Sequence, residues 1–135
     1  MSKAGVSIIL LYTVFTAISL SHLPNSFSPL FNFLSQLGNS NLNPDGAIFY
    51  NLAVILAGLA AIPFYISLIK WCNYKTGKKI PKTVLAVGLL NALSVMMVGI
   101  YTESVNFNLH VLWSIVIFST FVPILIIVNK LLLNH

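Results

Sequence analysis

The sequence predicts an all-α membrane protein in which four transmembrane helices form one bundle, and three observations carry that prediction. Of the 135 residues, 58% are hydrophobic and 7% are charged, whereas a soluble domain carries roughly a quarter charged residues. Four apolar stretches reach the length of about 20 residues that a helix needs to cross a hydrocarbon core. The charged residues all lie outside these stretches. The predicted spans, within a single transmembrane domain over 1–135, are 4–21, 46–69, 83–101 and 109–129.

The charges also predict an orientation. Both acids, Asp45 and Glu103, fall in the first and third connections, whereas every basic residue falls at a terminus or in the second connection. By the positive-inside rule, both termini and the second connection are expected in the cytoplasm of a cell-membrane protein. A weaker alternative is a basic patch for anionic lipid head groups. Nucleic acid is not expected as a partner, because no aromatic or arginine-rich surface accompanies the lysines. The basic residues are Lys3, Lys70, Lys75, Lys78, Lys79, Lys82 and Lys130.

Small residues at helical spacing occur in the second and third predicted spans. Helices in lipid associate through close packing and hydrogen bonds, so small residues indicate the faces on which helices touch. The sequence therefore predicts contact faces at Ala53, Ala57, Gly58 and Ala61 in the second span and at Gly88, Ala92 and Gly99 in the third.

The first connection, on the predicted outer side, carries signals for a short helix followed by a turn. In SPLFNFLSQLG, Ser28 suits an N-cap, Pro29 the first helical position and Gly38 a C-cap. These signals predict a short amphipathic helix over 28–38 that covers the outer face. The following NPDG predicts a turn. For Asp45 within it, a role in capping the next helix, where its charge suits the helix dipole, is preferred to a catalytic role.

Polar residues near the outer ends of the spans form the candidate site. Polar side chains within a membrane need partners or water, and counting about 1.5 Å of rise per residue brings Asn51, Glu103 and His110 to one depth. The sequence thus predicts an outward-facing polar pocket beneath the loop helix. Each residue also has a structural alternative, the simplest being an interhelical hydrogen bond for Asn91, near the bilayer middle. The candidate ligand-binding residues are Ser35, Gln36, Asn51, Asn91, Glu103 and His110.

Several of these segments together resemble a known family. The segments SPLFNFLSQLGN, NPDGAIFYNLAVILAGLAAIPF, GIYTES and NLHVLWSIVIF are similar in order and spacing to the archaeal and bacterial membrane proteins of domain-of-unknown-function family 998. The resemblance covers about residues 5–128 and implies no established reaction. It also implies a distant similarity to Frag-like proteins of lipid remodelling, which would make a lipid a candidate ligand. The matching positions are Ser35, Leu37, Gly38, Asn51, Gly58, Gly99, Tyr101, Glu103 and His110.

Three functions remain open at this stage. The first is a non-enzymatic module that binds membrane lipids or a partner protein, as a homo-oligomer or as a subunit of a larger complex. The second is a lipid-modifying hydrolase or transferase, with Glu103 and His110 as candidate catalytic residues and His22 as a further possible metal ligand. The third is a small transporter or channel that acts as an oligomer. No metal or other cofactor is predicted, because no recognised ligand spacing is present.

Overall fold

A computed structural model describes residues 3–77 and 79–133. Lys78, one of the lysines used to predict the orientation, lies outside these residues. The described residues form four α-helices and one short 3-10 helix, with no strand among them, so the predicted all-α class is confirmed. In chain order the elements are α1 (Lys3–Ser21), the 3-10 helix (Leu34–Gly38), α2 (Ala47–Thr76), α3 (Lys82–Ile100) and α4 (Glu103–Leu133).

Three of the described helices are long and apolar enough to cross a membrane. They are α2, α3 and the part of α4 from Phe107 to Lys130. The apolar part of α1, Gly5–Ser21, has 17 residues, or about 25 Å at 1.5 Å per residue. Many large apolar side chains on all four helices remain exposed, as expected where lipid rather than water surrounds the protein. The membrane class is therefore confirmed, and the fourth span remains a prediction.

Three helix boundaries differ by more than one residue from the predicted ones, and one of them is the end of α4, at Leu133 instead of residue 129. The α2 helix continues past residue 69 to Thr76 and stops at Gly77, whose φ of 63° is the left-handed conformation that glycine adopts readily. The α4 helix begins six residues before 109, and its backbone is kinked at Asn106, where φ is −158° and ψ is 97°. The Asn106 side chain accepts a hydrogen bond from the amide of Leu109 at 3.1 Å, so it caps the apolar part of α4. Glu103, expected in the third connection, is therefore the first residue of α4.

The helices pack mainly in chain order, α1 on α2, α2 on α3 and α3 on α4. Gly58 of α2 faces α3 so closely that a Cβ there would lie 2.8 Å from the Ala92 carbonyl oxygen and 2.9 Å from the Met96 amide nitrogen. Only a residue without a side chain allows the two backbones to approach in this way. The predicted contact between the small residues of α2 and α3 is confirmed at Gly58 and Ala92.

Asn91 joins three helices deep in the bundle. Its Oδ1 accepts a hydrogen bond from the Tyr65 hydroxyl of α2 at 2.7 Å. Its Nδ2 lies 2.9 Å from the Ile117 carbonyl oxygen and 2.8 Å from Thr120 Oγ1, both in α4. The structural alternative for Asn91 is thus confirmed, because these partners satisfy its acceptor and its donors.

Asn43 is completely buried and joins three elements at the end of the bundle that is predicted to face outside, called the outer end below. Its Nδ2 lies 3.1 Å from the Ser19 carbonyl oxygen, 3.0 Å from Ser19 Oγ and 3.1 Å from the Leu37 carbonyl oxygen. Its Oδ1 accepts a hydrogen bond from the Gly46 amide at 3.2 Å. One side chain therefore ties the end of α1, the 3-10 helix and the start of α2. The N-cap residue of α2 is Gly46, which has no side-chain cap, so the cap expected from Asp45 is not formed.

The outer loop contains a helix shorter than predicted. Only Leu34–Gly38 is helical, as a 3-10 helix, while residues 29–31 form a turn. The predicted α-helix over 28–38 is interrupted because Phe33 is extended, with φ −76° and ψ 141°. Asn32 Oδ1 also accepts the Ser28 amide at 2.9 Å, a side-chain bond that competes with helix formation. Leu37 is fully buried against Tyr50 and Val54, so the loop is packed onto the bundle.

The Asn43 network predicts a large effect of a single substitution. We expect Asn43→Ala to lower the free energy of unfolding in detergent by about 2–4 kcal/mol, because buried donors and acceptors lose their partner. Asn43→Asp should not restore stability, since a carboxylate can accept the Gly46 amide but cannot donate to the two carbonyls.

Chemical denaturation of the full chain, followed by circular dichroism, measures this effect. The neighbouring exposed Asn41 provides the matched control, Asn41→Ala, which should leave stability within about 0.5 kcal/mol. Equal stability of the Asn43→Ala and Asn41→Ala proteins would contradict the assigned role.

Candidate functional site

A carboxylate at the start of α4 connects the outer loop to the bundle. Ser35 of the 3-10 helix donates a hydrogen bond from Oγ to Glu103 Oε1 at 2.5 Å. His110, two turns further along α4, has Nε2 3.9 Å from the same oxygen. The Glu103 side chain is 17% exposed and that of His110 is 9% exposed. Three of the predicted site residues therefore meet at one carboxylate oxygen.

The orientation of the His110 ring follows from its second contact. Nδ1 lies 2.9 Å from the Tyr101 carbonyl oxygen, which can only accept a hydrogen bond, so Nδ1 is assigned as the donor. Nε2 then faces Glu103, at a distance too long for a direct hydrogen bond. A neutral imidazole would turn its Nε2 lone pair toward the carboxylate. An imidazolium at this position would instead form an ion pair with it.

The order of these contacts bears on the enzyme hypothesis. In a serine nucleophile triad the hydroxyl bonds to the imidazole, and the carboxylate orients the imidazole from the far side. Here the Ser35 hydroxyl bonds to the carboxylate of Glu103, which lies between Ser35 and His110. The arrangement therefore fastens the outer loop to α4 and does not have the geometry of an activated serine.

Asn51 lies on another side of the same outer region. Its Nδ2 donates to the Gly38 carbonyl oxygen at 3.1 Å, and a side chain at position 38 would collide with Asn51 and Tyr50. Gly38 is thus required for the close approach of the loop to α2. Asn51 also lines an open groove of about 370 Å³ between α2 and the connection from α3 to α4.

The groove is polar at its outer end and apolar toward the bundle. At the outer end, Ser40 Oγ donates to Ser104 Oγ at 3.1 Å, and Ser104 Oγ lies 3.0 Å from Thr102 Oγ1. These hydroxyls and Asn51 form the polar rim, and none of the described residues that line the groove is charged. The apolar lining residues are Ala47, Ile48, Leu52, Ile55, Ile100 and Val105.

A second cavity of about 410 Å³ lies between the helices at greater depth. Its lining comes from all four α-helices and is almost entirely apolar, including Ile8, Phe64, Val95 and Phe121. Asn91 contributes to this lining, but its polar atoms are already bonded to Tyr65 and α4. This cavity provides no polar route across the bundle.

Three other candidates lie apart from the Glu103 cluster. Gln36 accepts a hydrogen bond from Asn32 within the loop at 3.0 Å, and Asn91 belongs to the deep network. His22 is exposed at the end of α1, where its Nδ1 contacts the Ile18 carbonyl oxygen at 2.8 Å and its ring stacks on Phe49. Among residues 3–77 and 79–133, no three His, Cys, Asp or Glu side chains are grouped so that they could hold a metal ion.

Sequence reasoning missed several polar residues of this region. The hydroxyls of Tyr12 and Tyr50 lie 3.4 Å apart, and Tyr50 is close enough to Glu103 for an electrostatic interaction. Ser40, Thr102 and Ser104 form the groove rim but were not predicted. Their positions in the sequence could have indicated Thr102 and Ser104, because these residues are the direct neighbours of the predicted site residue Glu103.

The apolar helices, with their polar side chains paired internally or gathered at one end, define a helical membrane protein. The chain belongs to the family described as Protein of unknown function (DUF998), whose model matches residues 6–133. This match confirms the resemblance noted from the sequence motifs. Searches of the curated proteins and of the solved structures found no match, and the similarity to Frag-like proteins stays a prediction.

The bond from Ser35 to Glu103 can be tested by a double-mutant cycle. We expect Ser35→Ala to lower the free energy of unfolding by about 1–2 kcal/mol, because hydrogen bonds to charged groups are stronger than neutral ones. In a Glu103→Gln background the loss should fall by about 1 kcal/mol, since the acceptor is then neutral.

Ser40→Ala is the matched control for this cycle. Ser40 is also an outer-loop serine, but it bonds to the neutral hydroxyl of Ser104. Its coupling to Glu103→Gln should lie within measurement error, which is about 0.3–0.5 kcal/mol for independent sites. Equal coupling for both serines would rule out the hydrogen bond from Ser35 to Glu103 as the contact that fastens the outer loop.

Proposed function

We propose that this protein is a lipid-binding membrane module whose outer groove, lined by the residues named above, holds one lipid molecule. The supporting observation is the groove itself, which offers neutral hydrogen-bonding groups at its outer rim and apolar side chains below. Ile48, Leu52, Ile100 and Val105 along its length are all exposed. In a bilayer they would face acyl chains, so a lipid could enter sideways from the membrane.

The hydrogen bond between Ser35 and Glu103 supports the same proposal. Glu103 fixes the outer loop through Ser35, and Leu37 anchors it in the core. A loop held in this way presents Ser40 and the Gly38–Asn51 contact in a fixed geometry. Preorganised polar groups reduce the conformational entropy lost on binding. Binding without chemical conversion is therefore the function that the geometry supports best.

The enzymatic alternative has less support. Glu103 remains the candidate general base and His110 its candidate partner, but both already contact protein atoms and neither lines the groove. A base must lie within hydrogen-bonding reach of the proton that it removes. A lipid in the groove would meet the hydroxyls and amide of the rim before it met Glu103.

The groove is proposed to face the outside of the cell membrane. Among the described residues, Lys70, Lys75, Lys79 and Lys82 belong to the end where α2 passes into α3, and Lys130 lies near the end of α4. Asp45 and Glu103 belong to the opposite end. The positive-inside rule then assigns the lysine-rich end to the cytoplasm. The Gly5–Ser21 segment, which packs along α2, is proposed as the fourth span.

Filling the groove should prevent lipid binding. Leu52→Trp enlarges a side chain of the groove lining, and we expect native mass spectrometry from mild detergent to show bound lipid reduced at least about fivefold, equivalent to ~1 kcal/mol of binding free energy. Leu59→Trp is the matched control, because Leu59 is a similarly exposed leucine two turns along α2, outside the groove. Identical lipid occupancy in the two variants, or none in the parent protein, would refute the proposed function.

The orientation can be tested by cysteine labelling. Cys72 is fully buried, so Cys72→Ala provides a background in which new cysteines can be introduced. A membrane-impermeant maleimide added to intact cells should label Asn41→Cys but not Lys75→Cys, both positions being exposed in the structure. Permeabilised cells should give labelling at both positions. The reverse pattern in intact cells would place the groove in the cytoplasm.

A further inference from the structure

We propose that the groove selects a lipid with a small, uncharged, hydroxyl-bearing head, of the diacylglycerol type, and disfavours lipids with anionic heads. This inference rests on the proposed function, because it specifies the ligand class of the same groove. Two observations support the inference. The first is the distribution of charged residues around the rim of the groove, and the second is the set of hydrogen-bonding groups that form this rim.

The charges near the rim are negative. Asp45 directly follows the groove residue Pro44, and Glu103 lies between Thr102 and Ser104, which are both groove residues. These are the two acidic residues of the sequence. Each described lysine from Lys70 onward lies at the opposite end of the bundle. A phosphate in the groove would therefore lie at the end of the bundle that carries both acidic residues and, of the described lysines from Lys70 onward, none. Repulsion between like charges is strengthened in a low-dielectric environment.

The rim groups suit a ligand hydroxyl. A hydroxyl has one donor and two acceptor lone pairs. Ser104 Oγ uses all three, because it accepts from the amide and the hydroxyl of Ser40 and pairs with Thr102 Oγ1. The hydroxyls of Ser40 and Thr102 keep hydrogen-bonding capacity for a ligand. Asn51 uses Nδ2 to bind Gly38, and its Oδ1 remains able to accept. A free hydroxyl both donates and accepts, so it can join this chain without leaving a buried charge unpaired.

The size of the groove limits the head group further. Its volume of about 370 Å³ lies near the lower end of the range of about 300–1,000 Å³ found for ligand sites. A glycerol head with the first part of its chains suits this volume, and the remaining chain length would lie along the exposed apolar residues in the surrounding lipid.

Competition between lipids with identical chains tests the inference. The full-length protein would be incubated in mild detergent with equimolar dioleoylglycerol and dioleoylphosphatidate, and the bound lipids measured by native mass spectrometry. We expect dioleoylglycerol to be retained at least about threefold over dioleoylphosphatidate, a ratio within the range of partly exposed charge interactions. The preference should be lost in Leu52→Trp, which fills the groove.

Two variants with the same charge change separate a local effect from a general one. Asp45→Asn removes one negative charge beside the groove, and Tyr74→Lys adds one positive charge at an 87% exposed position at the opposite end. Asp45→Asn should shift binding toward dioleoylphosphatidate by about twofold, whereas Tyr74→Lys should not.

The outcomes distinguish the two proposals. Preferential or equal retention of dioleoylphosphatidate, reduced by Leu52→Trp, would overturn the head-group inference and leave the lipid-binding function in place. An equal shift in Asp45→Asn and Tyr74→Lys would also overturn it, because the selectivity would then reflect total charge. Retention of neither lipid, or retention unaffected by Leu52→Trp, would overturn both proposals.

Discussion

The outer half of this structure depends on the burial of one amide side chain, that of Asn43. A buried amide must bond through both its oxygen and its nitrogen, since each unpaired polar group carries a large desolvation cost. Asn43 meets that requirement only when Ser19, Leu37 and Gly46 are brought to it together. The end of α1, the outer loop and the start of α2 are thereby fixed relative to one another.

The position of the candidate site follows from this arrangement. With Leu37 held between Asn43 and the core, its neighbours Ser35 and Gly38 reach Glu103 and Asn51 respectively. The loop thus contacts α4 on one side and α2 on another, and the groove lies beyond Gly38 and Ser40. The position of the rim hydroxyls therefore depends on how the loop is anchored as well as on which residues form the rim.

The sequence predicted the features that depend on length, composition and local spacing. The existence of the helices could be predicted from hydropathy, and the contact at Gly58 and Ala92 from the spacing of small residues. The outer-loop helix was predicted too long because cap signals at Ser28 and Gly38 do not reveal that Asn32 bonds back to Ser28. The central role of Asn43 was not visible either. Three of its hydrogen bonds involve Ser19 and Leu37, which lie near Asn43 only because of tertiary packing. In addition, an asparagine is common in turns such as NPDG, so its presence did not indicate a further role.

Counting depth along the helices grouped Asn51, Glu103 and His110, of which the structure brings Glu103 and His110 together and places Asn51 on another face. Counting residues along a helix gives depth, but two side chains at one depth can point in different directions, and nothing in a single sequence fixes how adjacent helices are rotated. Thr102, Glu103 and Ser104 illustrate this limit. Successive residues at the start of a helix point to different sides, so Glu103 faces Ser35 and His110 while its two neighbours face the groove. The polar residues expected to share one pocket therefore lie in two places, around the Glu103 carboxylate that fastens the loop and along the groove that Asn51 lines. Because Glu103 is bonded to Ser35 on the other side, the groove is left with the neutral hydrogen-bonding groups of its rim.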